Sequence, residues 1–295
     1  MTIPRILIIA GSDSGGGAGI QADIKTVTML GGHATTAITS VTAQNTRGVQ
    51  AVHVIPSPMV IEQIDSVAGD LGVDAIKIGM IGSPQTAHAV ADRLAALDGV
   101  PIIFDPVMVA TSGATLADAA TVAAFERLMG MALIITPNVP ELCVLTGLAI
   151  DNADDLEAAG QVLARRFGCA VLAKGGHLPH QPQDDAPSVH DLLIRASGVS
   201  EYRMPRIETR HSHGTGCTLA SAVAVGLGRG LSVEDAVDRA EAFVAGALFH
   251  APGIGEGHGP LGHAMGTTPF YHTLAAADAN GLDASALAAQ WGDRA

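Results

Sequence analysis

The sequence predicts a doubly wound α/β fold, a mainly parallel sheet flanked by helices, on three observations. Short apolar runs recur at 6–10, 35–41, 75–78, 102–105, 133–136 and 170–174, and none alternates polar with apolar residues. Strands buried on both faces of a parallel sheet read this way. Segments of helical length, several with clear start signals, lie between those runs, which is the βαβ rhythm. The composition fits as well: 48% of residues are apolar, yet aromatics make up only 3%. A core of Ala, Val, Ile and Leu suits helices packed closely onto a sheet.

Taken in order, the first run ends in a glycine-rich turn that opens a helix. The second is followed by 49–55, which reads as a short strand apart from the main βα units. Ser57-Pro58 and Ser83-Pro84 each set an N-cap before a proline at the first helical position. They predict helices over 58–71 and 84–97. Further helices are expected over 117–128 and 154–167, and Asn138 ahead of Val139-Pro140-Glu141 is a third helix start. Residues 178–187, rich in Pro, Asp and Gln, read as a mobile loop. Residues 190–195 and 201–205 predict a hairpin around Ser197-Gly198, and helices over 216–228 and 233–249 follow. No internal repeat is present. The 295 residues are read as one domain over 1–261 and a Gly/Ala-rich tail over 262–295.

Sixteen basic against 29 acidic residues give a net charge of −13. Such a surface argues against nucleic acid or an anionic membrane as partner. It leaves room for a phosphate held by backbone N–H groups and one or two local cations. The three cysteines, Cys143, Cys169 and Cys217, form no CxxC pair, so neither a disulfide framework nor a structural zinc site is expected. The N-terminus reads as a first strand rather than a signal peptide. No apolar run reaches the about 18 residues of a membrane span. A reducing cytoplasm is the expected location.

Five segments carry chemistry. Residues 10–23, from Ala10 to Asp23, form a glycine-rich strand-to-helix turn that lets a ligand approach the backbone. The turn lacks both the dinucleotide spacing and the Gly-Lys-Ser/Thr of a P-loop. His213-Gly214-Thr215-Gly216-Cys217 opens a strongly apolar helix, so its N–H groups offer an anion hole for a transferring phosphoryl group. The same field is expected to favour the Cys217 thiolate as a proton acceptor. Lys174 ends an apolar strand, where it faces the ligand crevice of an open α/β sheet. Asp105 and the segment Thr136–Glu141, with Asn138, also stand at strand ends. Carboxylates there suit Mg²⁺, which takes few protein oxygens beside water and phosphate. Gln44, in Thr-Ala-Gln-Asn-Thr at 42–46, offers an amide edge that matches an aminopyrimidine. Taken singly, each has a plainer reading: a tight turn, a buried cysteine, a solvated lysine, an N-cap, a polar loop residue.

Together with Lys-Ile-Gly-Met-Ile-Gly-Ser at 77–83, Asp-Pro-Val-Met at 105–108 and Lys-Gly-Gly-His at 174–177, the set resembles the ribokinase-like superfamily. Within it, the chain is similar to the hydroxymethylpyrimidine/phosphomethylpyrimidine kinases over roughly residues 3–261. The resemblance implies a three-layer sandwich on a nine-stranded sheet, usually as a homodimer. It also implies ATP- and Mg²⁺-dependent phosphorylation of 4-amino-5-hydroxymethyl-2-methylpyrimidine and then of its monophosphate, toward thiamine. Gln44 would hold the pyrimidine edge, with Gly11, Asp23, Met80 and Val107 lining the pocket. Lys174 would contact ATP phosphates, with Asn138 and Thr215 also on the nucleotide side. Asp105 and Glu141 would organise Mg²⁺. Gly214, Thr215 and Gly216 would form the anion hole, with Cys217 as base. Two alternatives stand beside this: a pyridoxal or pyridoxine kinase, and a non-catalytic pyrimidine sensor that keeps the fold.

Overall fold

A computed structural model describes residues 2–110, 113–178 and 187–267. Nine strands form one sheet among these residues: β1 (Arg5–Asp13), β2 (His33–Asn45), β3 (Gly48–Val54), β4 (Ala75–Ile78), β5 (Ile102–Phe104), β6 (Ile134–Ile135), β7 (Ala170–Ala173), β8 (Ser188–Arg195) and β9 (Gly198–Pro205). Their spatial order is β3-β2-β1-β4-β5-β6-β7-β8-β9. The six strands from β2 to β7 in that order pair in parallel, while β3, β8 and β9 pair antiparallel at the edges. The chain runs from β1 out to β2 and then returns to β4 on the other side of β1. That reversal opens a crevice at the strands' C-terminal ends.

Among the described residues, eight α-helices cover the two faces: α1 (Gly19–Met29), α2 (Ser57–Asp70), α3 (Pro84–Leu94), α4 (Ala119–Met129), α5 (Val139–Thr146), α6 (Ala153–Phe167), α7 (Thr215–Gly228) and α8 (Val233–Phe249). Side chains alternate across each strand, so β1 sends Leu7 and Ile9 into one core and Ile6, Ile8 and Ala10 into the other. The first core lies under α2 to α6, the second under α1, α7 and α8. α7 is buried continuously from Thr218 to Leu227, which is why its sequence is apolar all round. β4 reads Ala-Ile-Lys-Ile, with Ile76 and Ile78 in the first core. The same alternation puts Lys77 on the α7 side, fully buried.

The sequence expectations meet the structure closely, with informative departures. β1 continues past the apolar run to Asp13, with an irregular register against β2 between Ala10 and Ser12. β6 is only two residues long, although N–H bonds from Leu133 to Ile102 O and from Thr136 to Phe104 O extend its pairing. Ser83 and Asn138 cap their helices as expected, the latter in a full capping box with Glu141. Ser57 does not: Pro56 is the N-cap, and the Ser57 hydroxyl lies 3.0 Å from Thr86 Oγ1, joining α2 to α3. Of the expected loop and tail, residues 179–186 and 268–295 lie outside the described residues. The first tail residues pack against the domain: His263 is 4% exposed, with Nε2 2.8 Å from Thr218 Oγ1 on α7. No described helix is long and apolar enough to cross a membrane.

Behind the end of β7 lies a buried acid pair. Asp191 on β8 accepts the Gly175 N–H at 2.8 Å, which fixes the chain just after Lys174. Glu241 on α8 faces Asp191, and burial, then the Asp191 charge, push its carboxyl up to about 9. One proton is therefore shared, resting on Glu241. Its folded value lies above its ordinary 4.5. Glu241's contribution to stability is therefore fully present below pH 4.5 and is lost as pH rises through 9. Glu241→Gln, which keeps a hydrogen donor, should fold at pH 7 and flatten the decline in melting temperature between pH 6 and 10. An unchanged pH profile would contradict the shared proton.

Candidate active site

The crevice is built from strand ends. Lys174 follows β7, and its ammonium lies 3.0 Å from Asp105 Oδ1, just after β5. Thr136, after β6, donates its hydroxyl to the same oxygen at 3.0 Å. Asp105 is only 2% exposed, so its charge is compensated by these two bonds rather than by water. Glu141 stands in the first turn of α5. It accepts the Asn138 N–H at 2.8 Å, while its own N–H donates to Asn138 Oδ1 at 2.9 Å. Asn138 is thus an N-cap, and its backbone also bridges to Lys174. Burial raises the Glu141 carboxyl to about 7, against the attraction of Lys174 and with the repulsion of Asp105. The described residues hold no cluster of three or more His, Cys, Asp or Glu side chains placed for a metal. Asp105 and Glu141 are a pair of carboxylates, a donor set that fits Mg²⁺ held mainly by water and phosphate.

α7 brings its N-terminus over this group. A Cβ on Gly216 would stand 3.1 Å from Lys174 Nζ and 3.5 Å from Asp105 Oδ2. The N-cap, Gly214, has φ +91°, and any side chain there would run into the carbonyl oxygen of Gly17. The glycine-rich turn and the N-cap of α7 thus touch backbone to backbone, in a conformation that only glycine allows without strain. Gly214→Ala should lower turnover sharply, and a variant of normal rate would show that this contact is dispensable. Thr215 differs from expectation: its N–H and its hydroxyl both turn back to Ser212 O, at 3.3 and 2.7 Å.

Beneath α7 lies an ion pair that the sequence reading missed. Lys77 Nζ donates to both oxygens of Asp23, at 2.9 and 3.0 Å, and Ser221 donates to Oδ1 at 2.7 Å. Both charged side chains are fully buried. Asp23, expected to line the substrate pocket, has no exposed surface and is held in this ion pair. Its spacing on α1 turns it inward, and burial raises its carboxyl while Lys77 opposes. Burial works against the Lys77 ammonium, but the charges of Asp23, Cys217 and Asp105 outweigh it and raise its pKa. The signal was legible: a lysine inside an otherwise apolar strand needs a buried partner.

Cys217 also departs from expectation. The helix field was to favour a thiolate, but burial dominates and pushes the thiol up to about 11. Lys77 and the Gly19 N–H pull it down, while Asp23 and Asp105 push it further up. The free protein thus carries a neutral thiol at physiological pH.

On the other side of α7, His213 is 8% exposed. Its Nε2 lies 3.0 Å from the Gln44 amide nitrogen and 3.1 Å from Asp13 Oδ2. Asp13, at the end of β1, also accepts N–H bonds from Gly15, Gly17 and Ala18. Burial opposes its ionisation, but His213, Ala18 and Gly15 outweigh that and lower its carboxyl below the ordinary value. Gln44 is therefore tied to the N-terminus of α7 through the residue preceding Gly214. Gly11 is packed against Met80: a Cβ there would stand 2.7 Å from Ser40 Oγ and 3.0 Å from Met80 Sδ. Val107 follows β5 two residues after Asp105, its N–H donating back to the Asp105 carbonyl at 2.8 Å. Asp13 and His213 lay inside segments read for their glycines and for Asp23, Thr215 and Cys217, and neither was singled out.

An α/β sandwich with a strand-end lysine under a glycine-capped helix defines a ribokinase-like small-molecule kinase. The chain belongs to the phosphomethylpyrimidine kinase family, whose model matches residues 13–262. It is 47% identical over 266 residues to a hydroxymethylpyrimidine/phosphomethylpyrimidine kinase of Streptomyces coelicolor, covering 89% of this chain and 95% of that one. It is 42% identical over 261 residues to a thiamine biosynthesis bifunctional protein of Geobacter sulfurreducens. That match covers 88% of this chain but about half, 52%, of the longer relative. Among solved structures, a phosphomethylpyrimidine kinase of Clostridium difficile is similar with a TM-score of 0.71 at 34% identity, covering 82% of this chain and 98% of that one. An ADP complex of Bacillus subtilis pyridoxal kinase is similar with a TM-score of 0.81 at 28% identity, covering 89% and 98%.

Proposed function

We propose that the chain uses ATP to phosphorylate 4-amino-5-hydroxymethyl-2-methylpyrimidine and then its monophosphate, giving the pyrophosphate used for thiamine. The observation that carries this is the convergence at Gly216. The Lys174 ammonium and the positive end of α7 meet there, one turn of chain from the Gln44–His213 pair. Relatives of nearly full length bear this activity in their names.

Phosphoryl transfer rests mainly on positioning and charge stabilisation. Gln44 reads the pyrimidine edge, with Gly11, Met80 and Val107 around the ring. Lys174 and the Gly214–Gly216 turn hold the transferring phosphoryl group, and Asn138 and Thr215 stand on the nucleotide side. Asp105 and Glu141 would hold Mg²⁺, which neutralises phosphate charge when bound. Cys217, in the first turn of α7, would take the proton of the attacking hydroxyl. We further propose a cytoplasmic homodimer, in line with the family resemblance.

With the thiol near 11, only a small fraction is thiolate at neutral pH. A thiolate base then gives kcat/KM that rises about tenfold per pH unit from 7 toward 10. Cys217→Ala should lose that slope and at least about two orders of turnover at pH 8. A variant with near-normal rate and an unchanged profile removes Cys217 from proton transfer.

The second reading, pyridoxal phosphorylation, is favoured by the similarity to the Bacillus subtilis pyridoxal kinase structure. Rates of ADP release with the pyrimidine, its monophosphate and pyridoxal separate the two. Turnover on both pyrimidines with little on pyridoxal supports the proposal. Preference for pyridoxal overturns the substrate and keeps the phosphoryl-transfer site.

A further inference from the structure

The chain of groups from Thr42 to Asp13 allows its hydrogens to be counted. The Gln44 amide oxygen lies 3.2 Å from Thr42 Oγ1, and the Thr42 hydroxyl also lies 3.0 Å from the Ser12 carbonyl oxygen. A hydroxyl has one proton, and here two acceptors claim it. The other end carries a matching conflict. Asp13 Oδ2 accepts N–H bonds from Gly17 and Ala18 at 3.0 and 2.8 Å, Oδ1 accepts from Gly15 at 2.8 Å, and His213 Nε2 stands 3.1 Å from Oδ2. An acceptor-only carboxylate requires a proton on that nitrogen. A ring nitrogen carrying a proton has no lone pair left for the Gln44 amino group, 3.0 Å away.

Exchanging the two ends of the amide resolves both conflicts, and an amide's O and N are told apart by their partners rather than by their shape. The Thr42 hydroxyl then donates to Ser12 O and accepts from the Gln44 amino group. The His213 Nε2–H is shared between Asp13 Oδ2 and the Gln44 oxygen. We propose that His213 is a positioning residue for substrate recognition, fixing through Asp13 and the glycine-rich turn which end of the Gln44 amide faces which way. One Gln44 N–H and one oxygen lone pair remain for a ligand. A donor beside an acceptor complements a ring nitrogen beside an amino group, as in an aminopyrimidine. Pyridoxal has no amino group beside its ring nitrogen, so the locked amide discriminates against it. Because His213 directly precedes Gly214, the same chain sets the reading edge in register with the anion hole.

This inference rests on Gln44 contacting the pyrimidine. The test is steady-state kinetics of His213→Leu, His213→Gln, Gln44→Leu and the Gln44→Leu/His213→Leu double variant, with hydroxymethylpyrimidine and Mg-ATP. His213→Leu should raise the pyrimidine KM about ten- to a hundredfold, the loss expected when a buried polar group loses its partner. The KM for ATP should hold within about twofold, since uniform binding to the other substrate is untouched. His213→Gln, which returns an N–H close to the position of Nε2, should recover most of the loss. The double variant should be little worse than Gln44→Leu alone, because both act on one contact. Fully additive effects, or a lowered kcat with unchanged pyrimidine KM, overturn the proposal. If Gln44→Leu raises the pyrimidine KM and His213→Leu does not, the pocket reading stands and the positioning role falls. If Gln44→Leu changes nothing, the pocket reading itself falls. Should His213→Leu not fold, Thr42→Val severs the other end of the same amide. A raised pyrimidine KM then supports the lock, and an unchanged one overturns it.

Discussion

Lys174→Ala should lower kcat by about 10²–10³-fold, the usual size for losing one preorganised electrostatic contact to developing charge. The ammonium stands between Asp105 and Gly216, where charge on a transferring phosphoryl group is closest to the helix end. Burial works against its ionisation, yet the charges of Asp105 and Glu141 raise its pKa, so it is charged throughout the working range. Its removal also leaves the buried Asp105 carboxylate with the Thr136 hydroxyl as donor and without the ammonium. Single-turnover rates should therefore be measured beside a thermal melt, so that lost chemistry is separated from lost fold. A folded variant within about threefold of the normal rate would contradict the placement of Lys174 at the phosphoryl group.

Lys77→Met should cost about 3–5 kcal/mol of stability, because it strands the carboxylate of Asp23 in a wholly buried site. The pair bonds α1 and α7 to β4, so its loss loosens the helix that carries Gly216 and Cys217. Replacing both partners, Lys77→Met with Asp23→Leu, should recover much of that stability, since two apolar groups need no compensation. Urea denaturation reads both effects. A single variant that loses less than about 1 kcal/mol would mean that Asp23 takes up a proton when Lys77 is absent. The double variant separates stability from catalysis as well. If it folds with reduced turnover, the pair also tunes the Cys217 thiol, on which both charges act.

Much of the fold was legible because its strands are short apolar runs closed by strong punctuation. The expected strand at 75–78 and helix at 233–249 coincide with β4 and α8. The run at 6–10 stopped short of Asp13 because Gly-Ser-Asp carries no apolar signal, although the backbone there stays extended. The positions of Asp105 and Lys174 just after β5 and β7, and of Glu141 in the first turn of α5, were readable from the apolar runs and the helix-start signal. What the sequence hid was facing and burial. Asp23 lies in a helix whose inward face depends on packing against β1 and α7. The Cys217 thiol feels two opposed effects, a helix end that lowers its pKa and burial that raises it. The order of motifs does not say which is larger. His213 and Asp13 are 200 residues apart in the chain, and only the sheet brings them to one hydrogen bond.

The measurement that tests the central claim most directly is the stoichiometry of exhaustive conversion. Limiting 4-amino-5-hydroxymethyl-2-methylpyrimidine is incubated with excess Mg-ATP until ADP release stops. Two ADP per pyrimidine, with the pyrophosphate as end product by mass spectrometry, is the result expected of one site that performs both phosphorylations. No ADP from the pyrimidine, together with one per pyridoxal, would contradict it.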